Sequence, residues 1–310
     1  MVMNVVVSPN KIREEKPVAK TRIVSFSEID TYRQCGLKHD LAYKQRFSKP
    51  ADEGSALSRG TLFHAVLEQH YLALRATQRG ETFESNIDAL LSLDDVENQS
   101  EQQSLVAWIY DGYVRHYGND DDWEILEVEG SHTMWLPTER GTRSSFKLKA
   151  KIDLIVRSRR TGKIHVVDHK SAKDLTNERA YELDDQFGLY GLILRQEGID
   201  VTTSIHNACR TFKLKDQSKQ PLDERFKRTS LYRTDDELNT IAVEAYRSVK
   251  QAYSIPVGEA PRSPNSDSCR WKCQYLEDCL GARKQPPAGQ DAYLKRSLGL
   301  HGFKQDWTRH

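Results

Sequence analysis

Residues 147–170 read KLKAKIDLIVRSRRTGKIHVVDHK, two strand-like runs joined by the polar connection SRRTGK. In the first run Leu148, Ala150, Ile152, Leu154 and Val156 fall on one face, while Lys149, Lys151 and Asp153 share the other, because successive strand side chains alternate between faces. The second run is apolar through Ile164, Val166 and Val167, then ends on Asp168, His169 and Lys170. Asp168 and Lys170 are two positions apart and share a face. If Arg157 pairs with Ile164, Asp153 falls directly opposite Asp168, with Cβ atoms about 4.5–5.5 Å apart. Two carboxylates at that separation repel each other. Magnesium or manganese between them would turn the repulsion into a site, since hard divalent ions take carboxylate and water oxygens. Lys170 would then orient a water or stabilise charge on a phosphate oxygen. The plainer reading is a strand that turns polar as it leaves the core, and a slip of one residue would remove the juxtaposition.

The chain's 310 residues suffice for one large domain, or a core with a smaller appendage. No apolar run is long enough to span a bilayer. The opening MVMNVVVSPN lacks the charged start and cleavage pattern of a secretory signal, so the expectation is a soluble cytoplasmic protein. Net charge is +1, but its distribution is uneven. From Glu81 to Glu129 fourteen acidic residues face one basic residue, Arg115. From Arg140 to Lys173 there are eleven Lys or Arg against only Asp153 and Asp168. A basic segment with two carboxylates inside its strands suits approach by phosphate, with a cation held at the centre. Lysine on strand edges gives the same count without any ligand. The acidic stretch reads equally as a solvated helical face or as a surface that steers DNA or docks a basic partner.

Along the chain, residues 1–22 read as a loose leader, and Ser27 as the cap of a helix running to about Tyr43. Residues 48–59 read as a loop. Leu62, Phe63, Val66, Leu67 and Leu74 carry helical periodicity, and further helices are expected at about 84–95 and 101–117. The pattern then changes. WEILEVEG, HTMWLP, SSFKLKAKIDLIVR and KIHVVDHK read as four successive strands. A helix at about 177–197, strands within 201–213 and 226–233, and a helix at 235–254 complete a mixed α/β pattern.

The Asp of KIDLIV, followed by DHK after a second strand, resembles the PD-(D/E)XK nuclease superfamily, with Asp153 and Asp168 as its two acids and Lys170 as its lysine. Two further stretches resemble elements of the RecB-like branch. DDQFGLYGLIL sets Gln186 and Tyr190 on one helical face, as in the Q-x-x-x-Y element that contacts substrate there. RGTLFHAVLE resembles the helical G-x-x-x-H motif, in which His64 is an additional metal ligand. Taken alone, Gln186 and Tyr190 read as a polar residue beside a core tyrosine. His64 alone reads as an ordinary helical histidine, with Glu68 one turn on as a helix-face partner. The resemblance implies a central sheet flanked by helices, with magnesium or manganese held by His64, Asp153, Asp168 and the backbone carbonyl of His169.

Of five cysteines, Cys35 stands near the start and Cys269, Cys273 and Cys279 lie together in SCRWKCQYLEDC. Clustered cysteines in an intracellular enzyme favour metal over disulfides. One remote cysteine and a C-terminal trio resemble the four-cysteine iron–sulfur staple of some RecB-like nucleases, including the AddB nuclease domains and the CRISPR adaptation nucleases. The resemblance implies a [4Fe-4S] cluster joining the two ends of the domain. CRWKC has three residues between its cysteines where the familiar trio has two, which keeps zinc on four thiolates open as the alternative. Cys209, in the strand-like NACRTF, reads as a buried small apolar residue.

The resemblance thus implies a single nuclease domain over 23–283, with a mainly helical part (23–120), a catalytic core (121–255) and a cysteine segment (256–283), followed by a peripheral tail at 284–310. The expected function is a metal-dependent exonuclease acting on DNA ends, single-stranded or duplex, in recombination or repair, with a phage or mobile-element setting as an analogy. A recombination or single-strand-annealing protein is the partner class this implies. No motif calls for ATP. The alternatives are a structure-selective or CRISPR-type endonuclease, and a non-catalytic DNA-binding subunit.

Overall fold

Strand β1 (Arg22–Val24) leads into helix α1 (Phe26–Gln34) in a computed structural model that describes residues 21–47, 56–173, 175, 179–216 and 219–281. The expected tail at 284–310, the leader before residue 21, most of the expected loop at 48–59 and the start of the helix expected at 177 lie outside those residues. Ser25, rather than Ser27, caps α1, accepting the Glu28 N–H at 3.2 Å. Nor does the helix run unbroken to Tyr43. Cys35 is extended (φ −164°, ψ 120°), α2 (Gly36–His39) restarts beyond it, and a π-helical turn follows over Asp40–Lys44. The Leu37 N–H bonds the Pro261 carbonyl at 2.9 Å, and a Cβ on Gly36 would meet that oxygen at 3.0 Å. Glycine lets the two backbones approach.

Helices α3 (Ala56–Arg79), α4 (Ile87–Leu91) and α5 (Glu101–Tyr117) follow. The helix expected at 84–95 is shorter because Ser92 turns left-handed (φ 50°) and closes α4. A Ser100–Gln103 capping box starts α5. Next come strands β2 (Trp123–Pro137), β3 (Arg143–Ser158) and β4 (Ile164–Ala172). WEILEVEG and HTMWLP, expected as two strands, are both within β2. Glu129 has φ 54°, and the buried positions change parity across it, from Trp123 and Ile125 to Gly130, His132 and Met134. This is how a bulge behaves, bending the strand without ending it.

The helix expected at 177–197 is interrupted into α6 (Arg179–Glu182) and α7 (Asp185–Gln196), because Asp184 caps the second piece by accepting the Gln186 N–H at 2.9 Å. Strand β5 (Val201–Arg210), helix α8 (Leu222–Arg225), strand β6 (Phe226–Leu231) and helices α9 (Asp235–Ser254), α10 (Ser266–Lys272) and α11 (Leu276–Gly281) complete the described chain. No helix among the described residues is long and apolar enough to cross a membrane.

The fold is mixed α/β, a central mixed sheet flanked by helices. Two compact units divide it, one drawn from the described residues within 56–134 and 149–241, the other from 21–47, 135–148 and 242–281. In the first, the strands run in the order β3-β4-β5-β6, with β3/β4 and β5/β6 antiparallel and β4/β5 parallel. Phe63, Val66, Leu67, Ile109 and Tyr113 of α3 and α5 share one buried core with Leu154, Val156, Val167 and Ile205 of the sheet. Within it lies an ion pair. Both Arg228 Nη atoms donate to the Asp120 carboxylate, at 2.5 and 2.9 Å, and the guanidinium lies over the Tyr117 and Trp123 rings. The Tyr71 hydroxyl donates to Asp120 at 2.8 Å.

In the second unit β1 lies parallel to Phe146–Leu148. Buried Glu28 accepts from the Tyr253 hydroxyl and pairs with His39 at 3.1 Å, while Asp40 accepts the Gly258 N–H at 2.9 Å. Leu37, Leu41 and Tyr275 form a small core, against which Cys35, Cys273 and Cys279 pack.

Asp120→Ala would strand a buried guanidinium and is expected to cost about 3–5 kcal/mol in urea unfolding. Arg115→Ala breaks a pair whose side chains are 59 % and 61 % exposed and is expected to change stability by less than about 1 kcal/mol.

Candidate active site

The β3–β4 ladder runs from Arg157 opposite Ile164 to Leu154 opposite Val167. Asp153 and Asp168 are the next positions in that register. Ladder pairing stops there, and the Asp153 carboxylate accepts the His169 N–H instead, at 2.8 Å. Helix α3 brings His64 to the same carboxylate, Nδ1 lying 3.3 Å from Asp153 Oδ2. Burial works against charge on Asp153, yet the His64 ring and the His169 N–H outweigh it and hold the carboxyl below its usual range. Burial also acts to lower His64, but Asp153 prevails and raises it.

Asp168 is the reverse case. Burial, aided by the charge of Asp153 and opposed by Lys170, pushes it up to about 7. Lys170 Nζ lies 2.7 Å from Asp168 Oδ2, an ion pair whose carboxylate side is almost fully buried. Burial opposes the lysine's charge too, but Asp168 outweighs it, so Lys170 stays cationic. Gln186, at the start of α7, bridges this pair. It donates to Asp168 Oδ1 at 3.2 Å and accepts from Lys170 at 3.3 Å. One turn on, the Tyr190 hydroxyl closes on the Gln186 amide.

The ring of His169 turns into the core, stacked on Tyr71 with centroids 5.4 Å apart. The Asn207 amide donates to His169 Nδ1 at 2.8 Å and also to Tyr113. Arg228 donates to both tyrosine hydroxyls at 3.2 Å. The Asp120–Arg228 pair is thereby connected to the peptide between Asp168 and Lys170.

One residue near the site has no counterpart in the sequence reading. Glu129, Asp153 and His64 each offer a donor atom such that all three lie within 4.8 Å of one another. Asp168, expected to share an ion with His64 and Asp153, falls outside that group. Glu129 has φ 54° and a side chain only 11 % exposed. A Cβ on Gly130 would meet the Glu127 carboxylate at 2.5 Å and His132 Nε2 at 2.7 Å, so a larger residue there would make both side chains shift. A Glu–Gly pair inside a strand pattern was the available signal.

In the second unit Cys35, Cys269, Cys273 and Cys279 all line one cavity of about 340 Å³, with Lys38, Arg262 and Tyr275. The break between α1 and α2 carries Cys35 to it, and the Asn265 cap of α10 carries Cys269. Backbone N–H groups of Ser263 and Asn265 donate to the sulfurs of Cys35 and Cys269, each at 3.4 Å. The sulfurs are not drawn tightly together, since no three of them lie within 4.8 Å of one another. Cys209 is fully buried in the first unit.

The chain matches the PD-(D/E)XK nuclease superfamily over residues 23–279. Among solved structures it is similar to SSO0001, with 14 % identity, 77 % of this chain and 91 % of that one covered, and a TM-score of 0.34. It is similar to an exonuclease candidate from Eubacterium rectale, with 15 % identity, 79 % and 86 % covered, and a TM-score of 0.45. LHK-Exo in complex with dAMP follows, with 13 % identity, 63 % and 92 % covered, and a TM-score of 0.28. No curated protein matches the chain.

The raised Asp168 generates a stability prediction for metal-free protein. Between its ordinary value of 3.8 and about 7 the folded state holds a proton that the unfolded state has released, so stability falls as pH rises through that window. Asp168→Asn removes the effect. Its stability relative to wild type in urea, with chelator present, should improve by up to about 1.4 kcal/mol per pH unit across the window and level off above it.

Proposed function

The chain belongs to the PD-(D/E)XK nuclease superfamily, and from that membership we propose that it is a magnesium- or manganese-dependent exonuclease hydrolysing phosphodiester bonds at DNA ends, in recombination or repair. The observation that carries this reading is the β3–β4 register, which makes Asp153 and Asp168 neighbours at the end of a buried ladder with Lys170 beside them.

The residues fit a divalent cation. The donor atoms of His64, Glu129 and Asp153 lie within 4.8 Å of one another, and Asp168, next to Asp153 in register, has its carboxyl pushed up by burial although Lys170 lies 2.7 Å away. Such an ion polarises the scissile phosphate and supplies a water of lowered pKa. Asp153, Asp168 and His64 would hold it, with the backbone carbonyl of His169 as a further ligand. Lys170, held beside Asp168, would position the attacking water or help deprotonate it, or steady charge on a phosphate oxygen. Gln186 fixes Lys170 against Asp168, and in this reading Gln186 contacts the substrate strand while Tyr190, only 6 % exposed, accepts from the Gln186 amide and holds it in place. Gly60, His64, Gln186 and Tyr190 support the RecB-like branch.

In the second unit the reading is a [4Fe-4S] cluster held by Cys35, Cys269, Cys273 and Cys279. The support is four thiols around one cavity of about 340 Å³, with backbone N–H groups already donating to two of them. Four thiolates on one zinc at ~2.3 Å would lie only ~3.8 Å apart. Zinc on the same four thiolates is the alternative.

The test uses anaerobically purified wild type and Asp153→Ala, incubated with end-labelled linear DNA and closed circular DNA in magnesium, manganese or chelator. Wild type is expected to degrade linear DNA only with metal, and the variant to lose about a hundredfold or more. Cleavage of closed circles would transfer the reading to an endonuclease. No cleavage by folded wild type would leave a DNA-binding subunit. The same preparation is expected to carry about four irons and four sulfides per chain, both lost in Cys35→Ala. Zinc in their place would decide for the alternative.

A further inference from the structure

Phe212, just past the end of β5, is 46 % exposed, and nothing in the mechanism above gives it a task. We propose that Phe212 is a stacking platform for an unpaired base, with Lys173 and Arg210 beside it for the adjoining phosphates, so that the strand reaching Asp168 and Lys170 is single-stranded DNA. The inference rests on the nuclease reading and adds to it a binding surface and a strand preference.

The position follows from register. Strands β4 and β5 are parallel, with Lys170 opposite Ala208 and Ala172 opposite Arg210. The Thr211 N–H carries the ladder on by donating to the Ala172 carbonyl at 2.8 Å. In-register neighbours share a face, so counting by twos from Ala208 through Arg210 brings Phe212 to the side of Asp168 and Lys170. Four residues at ~3.3 Å each separate Phe212 from Ala208, a reach of ~13 Å. That is about four stacked nucleotides at ~3.4 Å. Lys213, one position on, turns to the other side, where its Nζ lies 5.5 Å from the Trp108 ring of α5.

The segment is built to hold its shape. Buried Gln220 donates to the Phe212 carbonyl at 2.6 Å and accepts the Leu214 N–H at 3.0 Å. With Thr211 tied to β4, the backbone is fixed on both sides of Phe212 while the ring stands in solvent. A ring held in this way loses little entropy when a base stacks on it.

Charge supplies the second requirement. Lys173 Nζ lies 6.0 Å from the Phe212 ring, and Arg210 is two positions before it on β5. Lys170, Arg195 and Lys219 each have a carboxylate partner, whereas Lys173 and Arg210 have none among the described residues. No acidic residue occurs from Lys170 to Lys173 or from Asn207 to Lys215. Cations without carboxylates beside an exposed ring match the phosphates and π-faces of a single strand. A duplex offers the same phosphates but keeps its bases stacked away from the ring.

The experiment measures fluorescence anisotropy of labelled DNA with the full-length protein, in chelator so that nothing is cut. The probes are a single strand, an abasic strand of the same length and a blunt duplex. Wild type is expected to prefer the single strand, and Phe212→Ala to bind it about tenfold more weakly. On the abasic strand and the duplex the two proteins should bind alike. Phe212→Trp should bind the single strand at least as tightly as wild type. Phe212→Leu, which keeps apolar bulk for folding, should behave as the alanine variant. Lys173→Gln and Arg210→Gln should each lower the salt slope of single-strand binding by about 0.7. Equal binding of the single strand by wild type and Phe212→Ala overturns the proposal, as does an equal loss on all three probes. If wild type binds no single strand yet digests DNA once metal is added, the proposal fails and the nuclease reading stands. If it also digests nothing, both fail.

Discussion

Everything at the site is organised by the repulsion between Asp153 and Asp168. Two carboxylates adjacent in register at the buried end of a ladder are unfavourable unless each finds compensation. Asp153 finds it in the His64 ring and the His169 N–H, and stays charged. Asp168 finds less, since burial dominates over Lys170 and the more weakly acting His64. The two carboxyls are thereby pushed in opposite directions, Asp153 down and Asp168 up.

Rigidity behind the site follows from the same constraint. A main-chain donor can compensate a buried charge only if the main chain does not move, and the His169 peptide is fixed by its own side chain. Its ring is stacked on Tyr71 and held by Asn207, and these lead to the Asp120–Arg228 pair. A buried ion pair is a poor way to stabilise a protein compared with apolar residues. Here it supplies fixed hydroxyl orientations, which a leucine could not.

How much was legible follows from which forces are local. The β3–β4 hairpin was readable because apolar alternation on both strands leaves one register that buries both faces correctly, and the structure has Arg157 opposite Ile164 as that pattern requires. The juxtaposition of Gln186 and Tyr190 follows from helical spacing alone. Glu129 was hidden because its partners His64 and Asp153 come from α3 and β3, and beyond the glycine after it nothing local in WEILEVEG sets it apart from Glu124 and Glu127. Ser25 lost to Ser27 on paper although Ser25-x-x-Glu28 has the spacing of a cap and its N3 residue, a signal that was present. The Asp120–Arg228 pair spans 108 positions, and no local pattern announces it.

The cysteine cavity has a consequence for the timing of assembly. Chains emerge from the ribosome N-terminus first, at about 5–20 residues per second. All the residues of the first unit, with His64, Glu129, Asp153, Asp168 and Lys170, have been made once residue 241 is out. The second unit must wait, because Cys35 is among the earliest residues described and its three companions are among the latest. For several seconds of each synthesis the first unit is complete while one thiol waits for the other three. The cavity lined by cysteines from both ends of the described chain is therefore the last part that can close.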